Sequence, residues 1–199
     1  MKDVKEMLKL GFVLAVYAAI ACVGLAFVYA GTSRVIAGRQ KTDLEASLRE
    51  LFPHMDAFED VTASVASPDA SVTFQIVYEI RNSGATIGLA IQASGASYGG
   101  PIKILTGVGT DAKITRVKIL EHADTPGLGA NAASPAYYVD KAKKLTFTGQ
   151  FSGMSASRAF TVKEDVAAIT ASTITSRAVA NVVKASARAA AAYLGGSGK

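Results

Sequence analysis

The sequence predicts an α+β protein, with a single N-terminal transmembrane helix, a mostly antiparallel sheet and a C-terminal helix. Three observations predict it. Leu10 to Ser33 holds 24 residues without a charge. Several runs with period-two alternation follow, joined by short turns. The chain then closes on an alanine-rich segment with a one-sided helical stripe. The 199 residues suit one domain of ordinary size plus an appendage. Half of the positions are hydrophobic and the net charge is +5, which excludes a disordered chain. Cys22 is the only cysteine, so a disulfide framework is excluded. With His54 and His122 the only histidines, multi-histidine or thiolate metal sites are not expected. The mild, scattered positive charge carries no nucleic-acid footprint.

Within the uncharged run, Gly11 to Tyr29 would span about 28 Å as a helix, against a hydrocarbon core of ~30 Å. A signal peptide ending at Ala30 is the competing reading, but its apolar region would exceed the usual ~7–15 residues. A lipoprotein site at Cys22 fits worse, because the apolar run continues beyond it. A retained single-pass helix is therefore expected. Flanking charge does not orient it: Lys2, Lys5 and Lys9 on one side match Arg34, Arg39 and Lys41 on the other.

Past the membrane the chain is expected to continue as a helix from Ser33 to Leu51, with Ile36, Leu44, Leu48 and Leu51 near helical spacing and Pro53 ending it. It reads as an amphipathic packing helix rather than a membrane-surface anchor, since its polar face is not strongly basic. Residues 54–70 read as a loop or short helix. Val72, Phe74, Ile76, Tyr78 and Ile80 then alternate with polar residues, predicting a strand with these five on one face. Arg81-Asn82-Ser83-Gly84 makes the turn into a second alternating run through Ala85, Ile87, Leu89 and Ile91. After a Gly/Ser loop over 94–100, Ile102–Val108 and Ile114–Glu121 read as a further strand pair around Gly109-Thr110-Asp111. Such short connections imply antiparallel neighbours. Ser134–Lys143 is read as a short helix, and Leu145–Phe151 and Arg158–Lys163 as two more strands. Val179, Val182, Val183, Ala187, Ala190 and Leu194 line one face of a last helix over Thr175–Leu194, stopped by Gly195-Gly196.

Two loops carry candidate chemistry. Glu121-His122-Ala123-Asp124 precedes Thr125-Pro126-Gly127-Leu128-Gly129. One imidazole and two carboxylates are a weak metal set, whereas the Pro-Gly-Leu-Gly run implies a tight turn or close backbone approach. The second loop, Ile169 to Val179, offers Thr170, Ser172, Thr173, Thr175 and Ser176 where the last helix begins. One hydroxyl is expected to cap the helix. A helix N-terminus with hydroxyls and Arg177 nearby is also a natural phosphate site.

Taken in order, Glu121-His122, Thr125–Gly129, Gln150-Phe151-Ser152-Gly153 and Thr173-Ile174-Thr175-Ser176-Arg177-Ala178-Val179 carry a resemblance that runs almost end to end. The chain resembles the G subunit of the Rnf electron-transport complex and, more distantly, the C subunit of sodium-translocating NADH:quinone reductase. In that family the last motif reads Ser-Gly-Ala-Thr-x-Thr, with an aspartate three positions before the serine. Its first threonine carries FMN through a phosphodiester bond made by a flavin transferase. The resemblance thus implies covalent FMN on Thr173, with Thr170, Ala171, Ser172, Thr175 and Arg177 around it and Thr125, Pro126, Gly127, Leu128 and Gly129 as the second wall. This sequence departs from the pattern at Ala167, Thr170, Ala171 and Ser172, and keeps both threonines.

The resemblance implies an FMN-binding domain over 54–195, after a cytoplasmic N-terminus and transmembrane helix over 1–32 and a juxtamembrane helix over 33–53, with a tail at 196–199. It implies an electron-transfer subunit of a ferredoxin:NAD oxidoreductase that drives Na+ or H+ movement, in the inner membrane with its domain on the periplasmic or external side. Its partners would be the other Rnf subunits and the transferase. It would receive and pass electrons, with no catalytic residues of its own, and bind neither NAD nor ferredoxin itself, since no Gly-x-Gly-x-x-Gly fingerprint or cysteine cluster is present to do so. A non-flavinylated scaffold subunit and an FMN module of another membrane reductase are the alternatives.

Overall fold

The computed structural model describes residues 2–196, with backbone only at 2–4 and 34–42. The side chains of Lys2, Arg34, Ile36, Arg39 and Lys41, and most of the expected tail, lie outside the described residues. The chain divides into two units, Met1–Ala46 and Ser47–Lys199. Helix α1 covers Lys2–Leu51. Within it, Lys5–Ser33 contains an 18-residue window of mean hydropathy 2.4 and has no residue buried, and among the described residues this one span is long and apolar enough to cross a membrane.

In the second unit, β1 (Ala57–Asp60), β2 (Val72–Asn82), β3 (Ala85–Ala96), β4 (Pro101–Gly109) and β5 (Ile114–Glu121) form an antiparallel sheet in chain order. The β2–β3 hairpin turns at Ser83 and Gly84, whose φ angles of 50° and 80° match the right-handed twist of the paired strands. Helix α2 (Thr173–Gly196) shares one continuous core with the sheet, built from Val179, Val182 and Val183 with Leu89, Ile91, Ile102 and Ile104.

The expected single apolar face of β2 is split. A register shift between Phe74 and Ile76 inserts one extra residue, which turns the following side chains over. Val72 and Val77 belong to the core shared with α2, whereas Tyr78 and Ile80 are buried outside that cluster. Glu79 thereby meets α2, where Tyr193 donates a hydrogen bond to it (3.1 Å). Gly88 to Ile91 of β3 are buried without alternation. Helix side chains cover one face there, and the Phe52 ring approaches Gly88 and Gly107 from the other.

The irregular segments depart most from expectation. Residues 54–70 contain β1 and a 3-10 turn at Thr62–Ser64. Instead of a helix over 134–143 there is a short strand β6 (Tyr138–Asp140), paired with β7 (Leu145–Thr146). Asp140 accepts the amides of Ala142 and Lys143 and so forms the turn between them. The expected strand to Phe151 gives way after Thr146 to a 3-10 turn at Gly149–Phe151. No strand forms over 158–163, because Phe160 and Lys163 sit at φ 57° and 79° and break the extended backbone. Phe160 is buried instead, stacked on Phe151.

Candidate functional site

Three segments meet at one cavity of about 480 Å³: the β3–β4 loop, the loop after β5 and the start of α2. Helix α2 begins two residues earlier than its apolar stripe suggests, so Thr173 is its first helical residue and Ser172 the cap position. The Ser172 carbonyl accepts both the amide (3.0 Å) and the hydroxyl (2.9 Å) of Ser176, and the Ser176 hydroxyl accepts the Ile169 amide. This buried serine therefore ties the preceding loop to the helix. Ala171, just before the cap, is held at φ 59°. It occupies the position where the family pattern has glycine, the residue for which such a conformation is free of strain.

The hydroxyls of the motif differ sharply in setting. Thr173 is half-buried and lines the cavity. Thr175 also lines it but is 1% exposed, and its hydroxyl has no hydrogen-bond partner among the described residues. Thr170 lies outside the cavity, its amide donating to the Tyr137 hydroxyl (3.3 Å). The amides at the helix start have no intrahelical acceptor, which leaves the positive pole of α2 facing this region.

The opposite wall is set by Asp124. Its carboxylate accepts the Ser97 hydroxyl (2.7 Å) and the Gly99 amide (2.8 Å), holding the β3–β4 loop against the loop after β5. The two backbones approach so closely that a Cβ at Gly99 would stand 2.2 Å from the Ala123 carbonyl oxygen. At Gly129 a Cβ would stand 2.6 Å from the Thr175 hydroxyl and 2.7 Å from the Asp124 Cβ. Glycine is required at Gly99, where the neighbour is backbone, whereas a side chain at Gly129 would have to displace Thr175 and Asp124. Tyr98, Leu128 and Ile174 remain 71%, 43% and 57% exposed around the opening. That is an apolar rim on a cavity whose surface is mostly apolar, the usual form of a cofactor or ligand site.

Of the residues singled out in the sequence, Thr125, Leu128, Gly129, Ala171, Ser172, Thr173 and Thr175 converge here. Pro126 and Gly127 do not line the cavity and form the outer arm of the turn, exposed to solvent. Arg177 is exposed and lines a separate groove with Phe160 and Lys184. Sequence reasoning alone does not place Tyr98, Asp124 or Ile174 at the site. Asp124 carries a signal, since it directly precedes the glycine loop, but in the sequence it reads only as a weak metal ligand. Tyr98 sits in a Gly/Ser loop with nothing to mark it.

Residues 97–188 match the FMN-binding domain family, and residues 1–51 match the RnfG N-terminal region. The chain is 32% identical to the G subunit of the Na(+)-translocating ferredoxin:NAD(+) oxidoreductase complex of Acetobacterium woodii, over 92% of this chain and 91% of that one. It is 30% identical to the G subunit of the proton-translocating ferredoxin:NAD(+) oxidoreductase complex of Clostridium ljungdahlii, over 98% and 97%. The G subunit of the ion-translocating oxidoreductase complex of Methanosarcina acetivorans is 28% identical, over 92% and 94%. Agreement of this extent covers the apolar helix and the cavity-bearing domain alike, and the chain belongs to the family of Rnf G subunits of ion-translocating oxidoreductase complexes.

Proposed function

We propose that this chain is a membrane-anchored electron-transfer subunit of a ferredoxin:NAD+ oxidoreductase coupled to Na+ or H+ translocation, carrying FMN in phosphodiester linkage to Thr173. One observation carries the assignment of the residue. Among the three threonines of the motif, Thr173 alone combines partial exposure with a place on the cavity wall. The residues fit the group. The cavity volume lies within the ~300–1,000 Å³ usual for such ligands. The exposed Tyr98, Leu128 and Ile174 give a flat ring apolar contact, and the unpaired Thr175 hydroxyl offers a donor inside.

When bound, the flavin supplies the one- and two-electron chemistry that side chains lack. The protein's part is positional. Thr173 tethers the phosphate at the N-terminus of α2, where free amides offset its charge. Ser176 fixes the loop that carries it. Gly129 leaves the space that any side chain would fill. Transferase access to Thr173 is favoured by the exposure of Thr170, Ala171 and Ile174 around it.

The anchor reading rests on the Lys5–Ser33 span, and the extracytoplasmic side on the family resemblance. The segments proposed are 1–32 for the cytoplasmic end and span, 33–53 for the juxtamembrane helix, 54–195 for the flavin domain and 196–199 for the tail. Protease added to intact spheroplasts should digest the domain and spare a cytoplasmic control, and protection until lysis would reverse the topology. Tryptic mapping of chain extracted from its native membrane tests the flavin. The peptide Glu164–Arg177, or a missed-cleavage relative, should carry one FMN less a water. A second reading, a scaffold subunit without flavin, is favoured by the strained Ala171 in place of glycine. Wild-type chain without flavin would select that reading.

A further inference from the structure

We propose that Asp124 holds down the electron affinity of the flavin bound in this cavity; the inference rests on the FMN reading above. Among the described residues, Asp124 is the only acidic or basic one that lines the cavity. It is 5% exposed, and its two hydrogen-bond donors are a serine hydroxyl and a backbone amide, both uncharged. Among the described residues no lysine, arginine or histidine pairs with it. A buried carboxylate without a cation is costly to maintain. Joining the two loops does not require that charge. Asparagine has nearly the same shape and could accept the Gly99 amide while donating to the Ser97 hydroxyl, which can serve as donor or acceptor. The net charge is therefore an expense that the latch alone leaves without a purpose.

Its effect on the cavity follows from electrostatics. A neutral oxidised flavin that accepted two electrons from a redox partner and one proton from solvent would gain one negative charge. A fixed negative charge on the wall of the same cavity opposes that gain, and at 5% exposure it is screened less than a surface charge would be. Asp124 faces Thr175 across Gly129, so its field reaches the side of the cavity where the helix start lies. There it acts against the positive pole of α2, which alone would favour the reduced, more negative form. The site thus binds the flavin phosphate at a positive helix end while keeping the ring system a low-potential donor.

The test is spectroelectrochemical titration of the full chain, co-expressed with a flavin transferase and extracted in detergent, with flavin loading measured by mass. Asp124→Asn should load flavin and favour the reduced form about tenfold at the wild-type midpoint, a rise of about 30 mV for a two-electron couple. Asp124→Glu should stay near wild type, since it keeps the charge. Ser97→Ala, which loosens the latch and keeps the charge, should also leave the midpoint in place. Asp124→Ser provides a second neutral variant if asparagine misfolds. An unchanged midpoint in a loaded neutral variant overturns the proposal. So does an equal shift in Ser97→Ala, or failure of every neutral variant to load while wild type loads. Wild-type chain without flavin would instead remove the FMN reading itself.

Discussion

Two cavities of the domain are similar in size and opposite in character. The one at the start of α2 encloses about 480 Å³ and the one beside β5 about 440 Å³. The second is lined by Glu50, Arg116 and Lys118, and these already satisfy one another: Lys118 lies 2.6 Å and Arg116 3.4 Å from the Glu50 carboxylate. The first keeps an unpaired threonine hydroxyl, an uncompensated carboxylate and an exposed apolar rim. Volume does not distinguish them. Unspent interactions do, because apolar surface left in water and polar groups left unpaired are both unfavourable until something covers them.

The largest effect expected from this comparison is at Thr173. Thr173→Ala should abolish covalent flavin, read as loss of the added mass, while Thr173→Ser should retain part of it and Thr175→Ala should keep the label. The fold should survive all three, since losing a helix-start interaction typically costs ~1 kcal/mol against a stability of ~5–15 kcal/mol. A label that persists in Thr173→Ala would break the assignment of the first cavity.

Next comes Gly129→Ala. The added Cβ would press on the Thr175 hydroxyl and the Asp124 Cβ. Overpacking of this kind costs about 1–3 kcal/mol, measurable by denaturant unfolding, and should also lower flavin occupancy. Normal stability and occupancy would mean that the cavity wall yields easily.

Glu50→Gln is the matching probe of the second cavity and should leave flavin content untouched. Hydrogen bonding from Lys118, the largest cause, holds the Glu50 carboxyl below its ordinary value of 4.5. A carboxyl depressed on folding contributes stability that is fully present above its ordinary pKa and is lost as pH falls through the folded value. The variant should thus be less stable near neutrality by about 0.2–1 kcal/mol, as for exposed pairs, and should converge with wild type in acid. A gap that widens on acidification would contradict this.

The one variant expected to stabilise the fold is Ala171→Gly. Relief of the left-handed conformation gains ~1–2 kcal/mol, offset by ~0.4–1 kcal/mol from the greater freedom of glycine in the unfolded chain. A net stabilisation of about 0–1.6 kcal/mol is expected by thermal or denaturant unfolding. A destabilised variant would show that the loop before α2 relies on the alanine methyl group.

Much of this was legible in the sequence because it is encoded by local periodicity. The uncharged run from Leu10 to Ser33 announces a span whatever follows it. The Ser83-Gly84 turn permits only a tight hairpin, and the valine and alanine stripe of α2 requires a sheet to cover it. The hydroxyl-rich motif before that stripe placed Thr173 at a helix start, although the helix begins two residues sooner than the apolar pattern does.

Tertiary structure decided what periodicity does not contain. One extra residue near Gln75 turns the rest of β2 over, sending Glu79 to Tyr193 and Tyr78 to the other face, a shift that an alternating pattern conceals. Arg177, close to Thr173 in sequence, opens onto a different groove because successive helical positions point in different directions. Tyr98 reaches the cavity because sheet register carries the β3–β4 loop to the loop after β5, where Asp124 clasps it. Sequence thus determined which segments could form regular elements, since each element's pattern is a property of neighbouring residues. Only the folded chain decided which loops share a cavity, because that depends on register and close approach between residues far apart in sequence.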